Sequence, residues 1–117
     1  MLSVTDTAVF PAAPARFNMA AHVLTHADRL AGKTALAIVG DNPAQFTYAE
    51  LNAAVLGTAT GLLDQGVRPG DHLLLQLGNT AEFPITYLGA IAAGIIPVPV
   101  SSQLTAPELA KITDTIQ

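Results

Sequence analysis

The stretch Phe46-Thr47-Tyr48-Ala49-Glu50-Leu51, continued through Ala54, Val55, Ala59, Leu62 and Leu63 to Gly66, carries the clearest local signal in the chain. Thr47 and Glu50 stand three apart, the spacing at which a hydroxyl and a carboxylate satisfy each other's exposed backbone N–H groups at a helix start. Phe46 and Leu51 flank the pair, so the two can staple across it. From Leu51 onward apolar residues recur at helical spacing to make one face, and Gly66 supplies a stop in the left-handed conformation. The segment reads as an amphipathic helix packed on a sheet.

Beyond it, Val67-Arg68-Pro69-Gly70-Asp71 makes a turn, and Leu73-Leu74-Leu75-Gln76-Leu77 is too continuously apolar for a half-exposed strand. It suits a parallel strand covered on both faces. Asn79 and Glu82 mark another helix start, with Pro84 tolerated in the first turn. That helix runs through Tyr87, Leu88, Ala90, Ile91 and Ala92 to Gly94, and its apolar residues on all sides predict burial on most sides. Ile95 to Val100 follows as a strand in which Pro97 and Pro99 delete ladder donors on one side only, so that side is an edge or a poorly paired seam. Thr105, Pro107 and Glu108 begin a last helix with Leu109, Ile112 and Ile116 on one face.

Towards the N-terminus, Asn18 caps a helix whose apolar positions Ala20, Val23, Leu24, Ala27 and Leu30 lead to a stop at Gly32. Thr34 to Val39 is a short strand ended by the turn residues Gly40-Asp41-Asn42-Pro43. Residues 1–16, rich in Pro, Ala and Thr without periodicity, read as a flexible arm, and the fold begins near Phe17. Alternating strands and helices predict an α/β fold, a parallel sheet of about three strands with flanking helices and a short hairpin around Gln45 to Thr47. A parallel sheet this small is incomplete, because such sheets need both faces covered and average ~5 to 6 strands.

Composition narrows the function. Half of the 117 residues are apolar and 12% are charged, with a mean hydropathy of +0.44. The chain is therefore membrane-bound or hides apolar surface against something else. The longest nearly uncharged stretch, Phe83 to Val100, is interrupted by Pro84, Pro97 and Pro99, whereas a spanning helix needs ~20 apolar residues in a row. The first basic residue is Arg16, after Asp6, which is the wrong order for a secretory signal, so a cytoplasmic protein is expected. A net charge of −4 with five scattered basic residues offers no patch for nucleic acid. The absence of cysteine excludes disulfides and thiolate chemistry.

The order of motifs resembles the adenylate-forming, AMP-binding superfamily. Phe46-Thr-Tyr-Ala-Glu-Leu51 is similar to its TY-x-E-L helix start, and Gly66-Val-Arg-Pro-Gly-Asp71 to its GV-x-x-GD turn. Tyr87 to Gly94, followed by Ile95 to Val100, resembles its A-x-x-x-A-G-A-x-x-V-P helix and strand, and Leu104 to Leu109 fits the helix that follows. The resemblance runs from Phe17 to Gln117. The opening Phe17-Asn-Met-Ala and Asn79-Thr-Ala-Glu-Phe-Pro84 look most like carboxylate–CoA ligases of the benzoate and medium-chain type.

The resemblance implies the first part of a large N-terminal domain in an AMP-forming acyl-CoA synthetase. Residues 17–117 would be an incomplete α/β subdomain of an enzyme that turns ATP and a carboxylic acid into an acyl-adenylate. The thiol of CoA then displaces AMP. ATP, Mg²⁺ and CoA are implied for the full-length parent and none for this chain, because the phosphate loop, adenine motif, ribose Asp, hinge and lid Lys of the family lie further along. No catalytic, cofactor-binding or metal-binding residue is assigned in this chain.

Residues that invite a chemical reading have simpler ones. Ala31-Gly32-Lys33-Thr34 looks like a truncated phosphate loop, yet it follows a helix and precedes a strand, the reverse of the required order. His22 and His26 are four apart on a predicted helix, a metal-holding spacing, without a neighbouring third ligand. Ser101 and Ser102 follow a strand but lack a G-x-S-x-G elbow. Asp41, Asp64 and Asp71 occupy turn and helix-end positions that favour Asp for backbone reasons.

The expectation is a fragment that is inactive alone and acts as scaffold in its parent, where Leu74→Ala costs roughly 2 to 5 kcal/mol of stability before it alters substrate choice. Its uncovered apolar surface leads it to associate with itself or with the rest of the parent enzyme. A competing expectation is a sheet closed by the Thr105 to Ile116 helix. The alternatives in function are a freestanding Rossmann-like interaction module and a fragment of another adenylating enzyme, either a peptide-synthetase adenylation domain or a luciferase-like ligase.

Overall fold

The computed structural model describes residues 11, 12 and 14–116, so the arm expected over residues 1–16 lies mostly outside the described residues. In chain order the elements are α1 (Met19–Val23), β1 (Thr34–Ile38), β2 (Ala44–Thr47), α2 (Tyr48–Asp64), β3 (His72–Leu75), α3 (Glu82–Ala92), β4 (Ile96–Pro99) and α4 (Ala106–Ile116). The α/β class is as expected. The sheet is not one sheet, however: β1 pairs with β2 antiparallel and β3 pairs with β4 parallel, in two separate ladders. The turn at Gly40, whose φ of 127° suits glycine, folds the chain back within a few residues. β1 is therefore captured by its nearest neighbour, and two strands are parallel where three were expected.

The layers run hairpin, α2, α3, parallel sheet, with α1 lying on α3. α2 is built as its sequence prescribes. Glu50 N–H donates to Thr47 Oγ1 at 3.2 Å and Thr47 N–H donates to the Glu50 carboxylate at 2.9 Å. At the other end Gly66 N–H reaches Leu63 O at 3.0 Å and Val67 N–H reaches Leu62 O at 3.1 Å, with Gly66 at φ 92°. That pair of bonds is a Schellman stop. Gly94 repeats it after α3, with Gly94 N–H on Ile91 O and Ile95 N–H on Ala90 O, both at 2.9 Å. The core lies where these helices meet the sheet: Val55 and Ala90 are wholly buried, with Leu51, Ala59, Leu75 and Ile95 around them.

Several local expectations are corrected. The first helix ends at Val23 and does not run to Gly32. Beyond it the backbone bonds shorten to three-residue spacing, Thr25 N–H on His22 O at 3.3 Å and Ala27 N–H on Leu24 O at 3.0 Å, and the chain proceeds to Lys33 in turns that bury Ala27. α3 starts from Ala81 without a side-chain cap, not from Asn79, and Pro84 falls in its first turn as expected. Only Gly89 and Ala90 of α3 are buried, the remainder being half-buried apart from exposed Glu82. In β3 only Leu75 is buried, while Leu73 and Leu74 remain half-exposed, since no second layer covers the sheet. α4 does not close the sheet either; it packs extensively on no other element, and none of its residues is buried.

Candidate functional site

β2 leads directly into α2, the strand-to-helix order that elsewhere presents free N–H groups to phosphate. Here those donors are spent. Tyr48 N–H donates to Lys33 O at 2.9 Å, Ala49 N–H to Ala31 O at 3.2 Å, and Glu50 N–H to Thr47 Oγ1. Ala31-Gly32-Lys33-Thr34 therefore turns its carbonyls, which repel phosphate, towards the helix start. Thr34 continues into β1 opposite Thr47. Sequence reading expected a helix stop at this stretch; the helix instead ends at Val23, and the stretch follows a series of turns, with its carbonyls capping α2.

The other candidates are also engaged in backbone structure. His22 lies in α1 and tilts its ring against Phe17, with centroids 5.4 Å apart. His26 falls beyond the helix end, so the expected four-residue spacing on one helix is not realised, and both rings are exposed. Among the described residues no cluster of three His, Cys, Asp or Glu side chains could hold a metal ion. Ser101 Oγ accepts from Gln103 N–H at 3.2 Å. Asp71 accepts Arg68 N–H at 2.8 Å and so closes the turn before β3. Asp41 is exposed in the turn after β1, and Asp64 is exposed at the last position of α2. Glu82 has its carboxyl held below the usual range by a hydrogen bond with the Thr80 side chain and by its own backbone N–H, at the exposed start of α3. Among the described residues these side chains are thus spent on turns, caps and helix ends and form no metal-holding cluster.

Two grooves have ligand-sized volumes. One, of about 450 Å³, lies between α1, α2 and α3 against Ala20, Leu24, Val55 and Leu56, with Asn18 and Asn52 at its side. Asn18 serves structure there: its side-chain oxygen accepts Ala21 N–H at 3.1 Å and its Nδ2 donates to Ile91 O at 2.7 Å. The other, of about 480 Å³, lies along β3 between the end of α2 and the end of α4. The second groove is bordered by Asp71, His72 and Thr113 as well as by Leu73, Leu74 and Ile116, and its Asp71 carboxylate already accepts Arg68 N–H at 2.8 Å.

The turn Gly66 to Asp71, the helix α3 and the strand β4 thus stand in the order and geometry that the motifs anticipated. A family model described as "AMP-binding enzyme" matches residues 23–117. The chain belongs to the AMP-binding enzyme family. It is 34% identical over 108 residues to the benzoate–CoA ligase of Thauera aromatica, an alignment covering 89% of this chain and 20% of that protein. It is 40% identical over 70 residues to enterobactin synthase component E of Escherichia coli strain K12, over 60% of this chain and 13% of that protein. Among solved structures, a benzoate CoA ligase from Burkholderia xenovorans LB400 superposes with a TM-score of 0.76 at 32% identity, over 85% of this chain and 20% of that one. This member of the AMP-binding family therefore spans a fifth or less of the relatives it matches. Among its described residues, no helix is long and apolar enough to cross a membrane.

Proposed function

We propose that this chain forms the opening scaffold of an ATP-dependent, AMP-forming carboxylate–CoA ligase of the benzoate or medium-chain type, and that it catalyses nothing alone. The observation carrying this reading is the occupied start of α2, where the phosphate-like strand-to-helix turn is filled by the carbonyls of Ala31 and Lys33. In the family the carboxylic acid is joined to AMP with release of pyrophosphate, and CoA then displaces AMP. ATP, Mg²⁺ and CoA bind the remainder of the parent protein, in the cytoplasm, where the acid serves in fatty or aromatic acid metabolism. This chain supplies folded support, and its partners are the rest of that protein or, without it, a second copy. Exposed Phe17, Leu56, Val23 and Ile96, each at least 46% accessible, support such association.

The identity to enterobactin synthase component E, higher than that to the benzoate ligase though over a shorter span, supports a second reading as part of another adenylating enzyme. Pyrophosphate exchange with a panel of aromatic and medium-chain acids tests both. The purified chain stays at background, while the product of the whole reading frame exchanges and releases AMP when CoA is added. Exchange without CoA-dependent AMP release supports the second reading. Exchange by the chain itself, or a reading frame that ends at Gln117, overturns the scaffold assignment.

A further inference from the structure

Among the described residues two side chains donate hydrogen bonds to residues far away in sequence, Asn18 at the start of α1 and Gln76 just past β3. The other side-chain bonds span four residues or fewer. Gln76 follows the last bond of the parallel ladder, Val100 N–H on Leu75 O at 2.9 Å, and its side chain reaches across to the loop after β4. There Nε2 donates to Leu104 O at 3.0 Å and to Ser101 O at 3.3 Å. An amide NH2 carries two donors, and both are used on carbonyls.

The two carbonyls belong to the ends of one turn. Leu104 N–H returns to Ser101 O at 3.3 Å and Gln103 N–H donates to Ser101 Oγ at 3.2 Å, so residues 101–104 close on themselves. α4 begins immediately beyond, with Thr105 N–H on the Glu108 carboxylate and Leu109 N–H on Thr105 O, both at 3.0 Å. Gln76 thus grips the residue directly before the helix start.

α4 has little else to hold it. It is 11 residues long, whereas helices shorter than ~12 to 15 residues are marginal in water unless they bury an apolar face. No residue of α4 is buried, and Leu109, Ile112 and Ile116 are half-exposed. Its second half is rich in β-branched residues, of which Thr113 and Thr115 turn their hydroxyls back onto Leu109 O and Lys111 O, a poor composition for a free helix. The bonds that favour α4 are therefore concentrated at its start.

We propose that Gln76 is a latch that couples the folding of α4 to the end of β3. With both carbonyls held, the turn presents Thr105 as a fixed helix start and α4 is ordered. With the latch released, the turn loosens and α4 unfolds while the core between α2 and α3 stays intact. Thr113 and Ile116 then leave the groove along β3, so a contact at one end of that strand decides whether the groove beside His72 at the other end keeps this wall. Gln76 acts through the turn and is a positioning residue. The latch does not rest on the scaffold reading, since each of its bonds lies within this chain.

The test compares the isotope-labelled 117-residue chain with two variants. Gln76→Leu removes both donors, and Gln76→Glu keeps the shape but turns a carboxylate towards two carbonyls. In the unaltered chain the Gln76 side-chain amide protons are expected to exchange more slowly than those of exposed Gln45 and Gln103. In Gln76→Leu, backbone amide protection over residues 109–116 should fall about threefold to tenfold, as the loss of one net hydrogen bond implies, and Cα shifts there should lose helical character. Protection at Val55 and Ala90 should not change. Gln76→Glu should lose at least as much over α4 as the leucine variant. Equal exchange of the three glutamine side chains, unmoved protection of α4 in Gln76→Leu, or its retention in Gln76→Glu overturns the proposal. So does loss of protection at Val55 and Ala90 in step with α4, which marks general destabilisation in place of a latch.

Discussion

A Cβ placed on Gly89 of α3 would lie 2.8 Å from both Cβ and Cγ2 of Thr58 on α2, and 3.2 Å from Val55 O. The two helices approach backbone to side chain at this point, beside wholly buried Val55 and Ala90. The obstacle is a Cβ and a main-chain oxygen, neither of which can swing aside.

Gly89→Ala is therefore expected to destabilise the fold by about 1–3 kcal/mol, as overpacking does, in spite of alanine's better helix propensity. Gly57→Ala, in α2 with nothing within 4 Å of the added carbon, serves as the control and gains up to ~1 kcal/mol. Urea midpoints of the two variants should move in opposite directions. Equal shifts would mean that α2 and α3 are not in contact at Gly89.

Asn18 holds α1 and α3 together by capping one and donating to Ile91 O of the other. Asn18→Ala removes both bonds and should cost about 1–3 kcal/mol. Asn18→Ser retains a cap oxygen without the reach to Ile91 and should fall between wild type and alanine. If serine restores full stability, the 2.7 Å bond to Ile91 contributes nothing in solution.

Thr47 and Glu50 each satisfy a backbone N–H of the other. Thr47→Ala and Glu50→Ala should each cost about 0.5–2 kcal/mol, and the double variant less than their sum, because the box is one unit. Strict additivity in thermal denaturation would show two independent caps.

The Glu82 carboxyl is held below its ordinary range first by the Thr80 side chain and then by its own backbone N–H. With the folded value depressed, its contribution is present above the unfolded value and is lost as pH falls through the folded one. Thr80→Ala should raise the Glu82 midpoint in a carbon-detected titration and remove part of the acid dependence of stability. An unmoved midpoint would exclude the hydrogen bond as the cause.

What the sequence alone determined were features decided within a few residues: the Thr47–Glu50 box, the glycine stops at Gly66 and Gly94, the turn closed by Asp71, and a strand with one edge disabled by Pro97 and Pro99. Each rests on backbone groups satisfied locally or on a donor that proline cannot have, so composition and spacing suffice. The same locality explains why the family was legible from four short motifs. Tertiary structure decided the rest. Thr34 to Ile38 reads equally as a parallel or an antiparallel strand, and only its pairing with Ala44 to Thr47 chose. The apolar spacing past Val23 reads as helix, yet the chain there tightens into turns that bury Ala27. Three leucines in a row state that β3 wants two covered faces; that only Leu75 obtains one follows from where α3 and α4 lie, and no residue of β3 encodes their positions. Asn18 and Ile91 are 73 residues apart, and their bond exists because α1 and α3 bury Ala20 and Ala90 in the same core. Partner choice across such distances is set by the total surface each arrangement buries, a property of the whole chain and not of any segment.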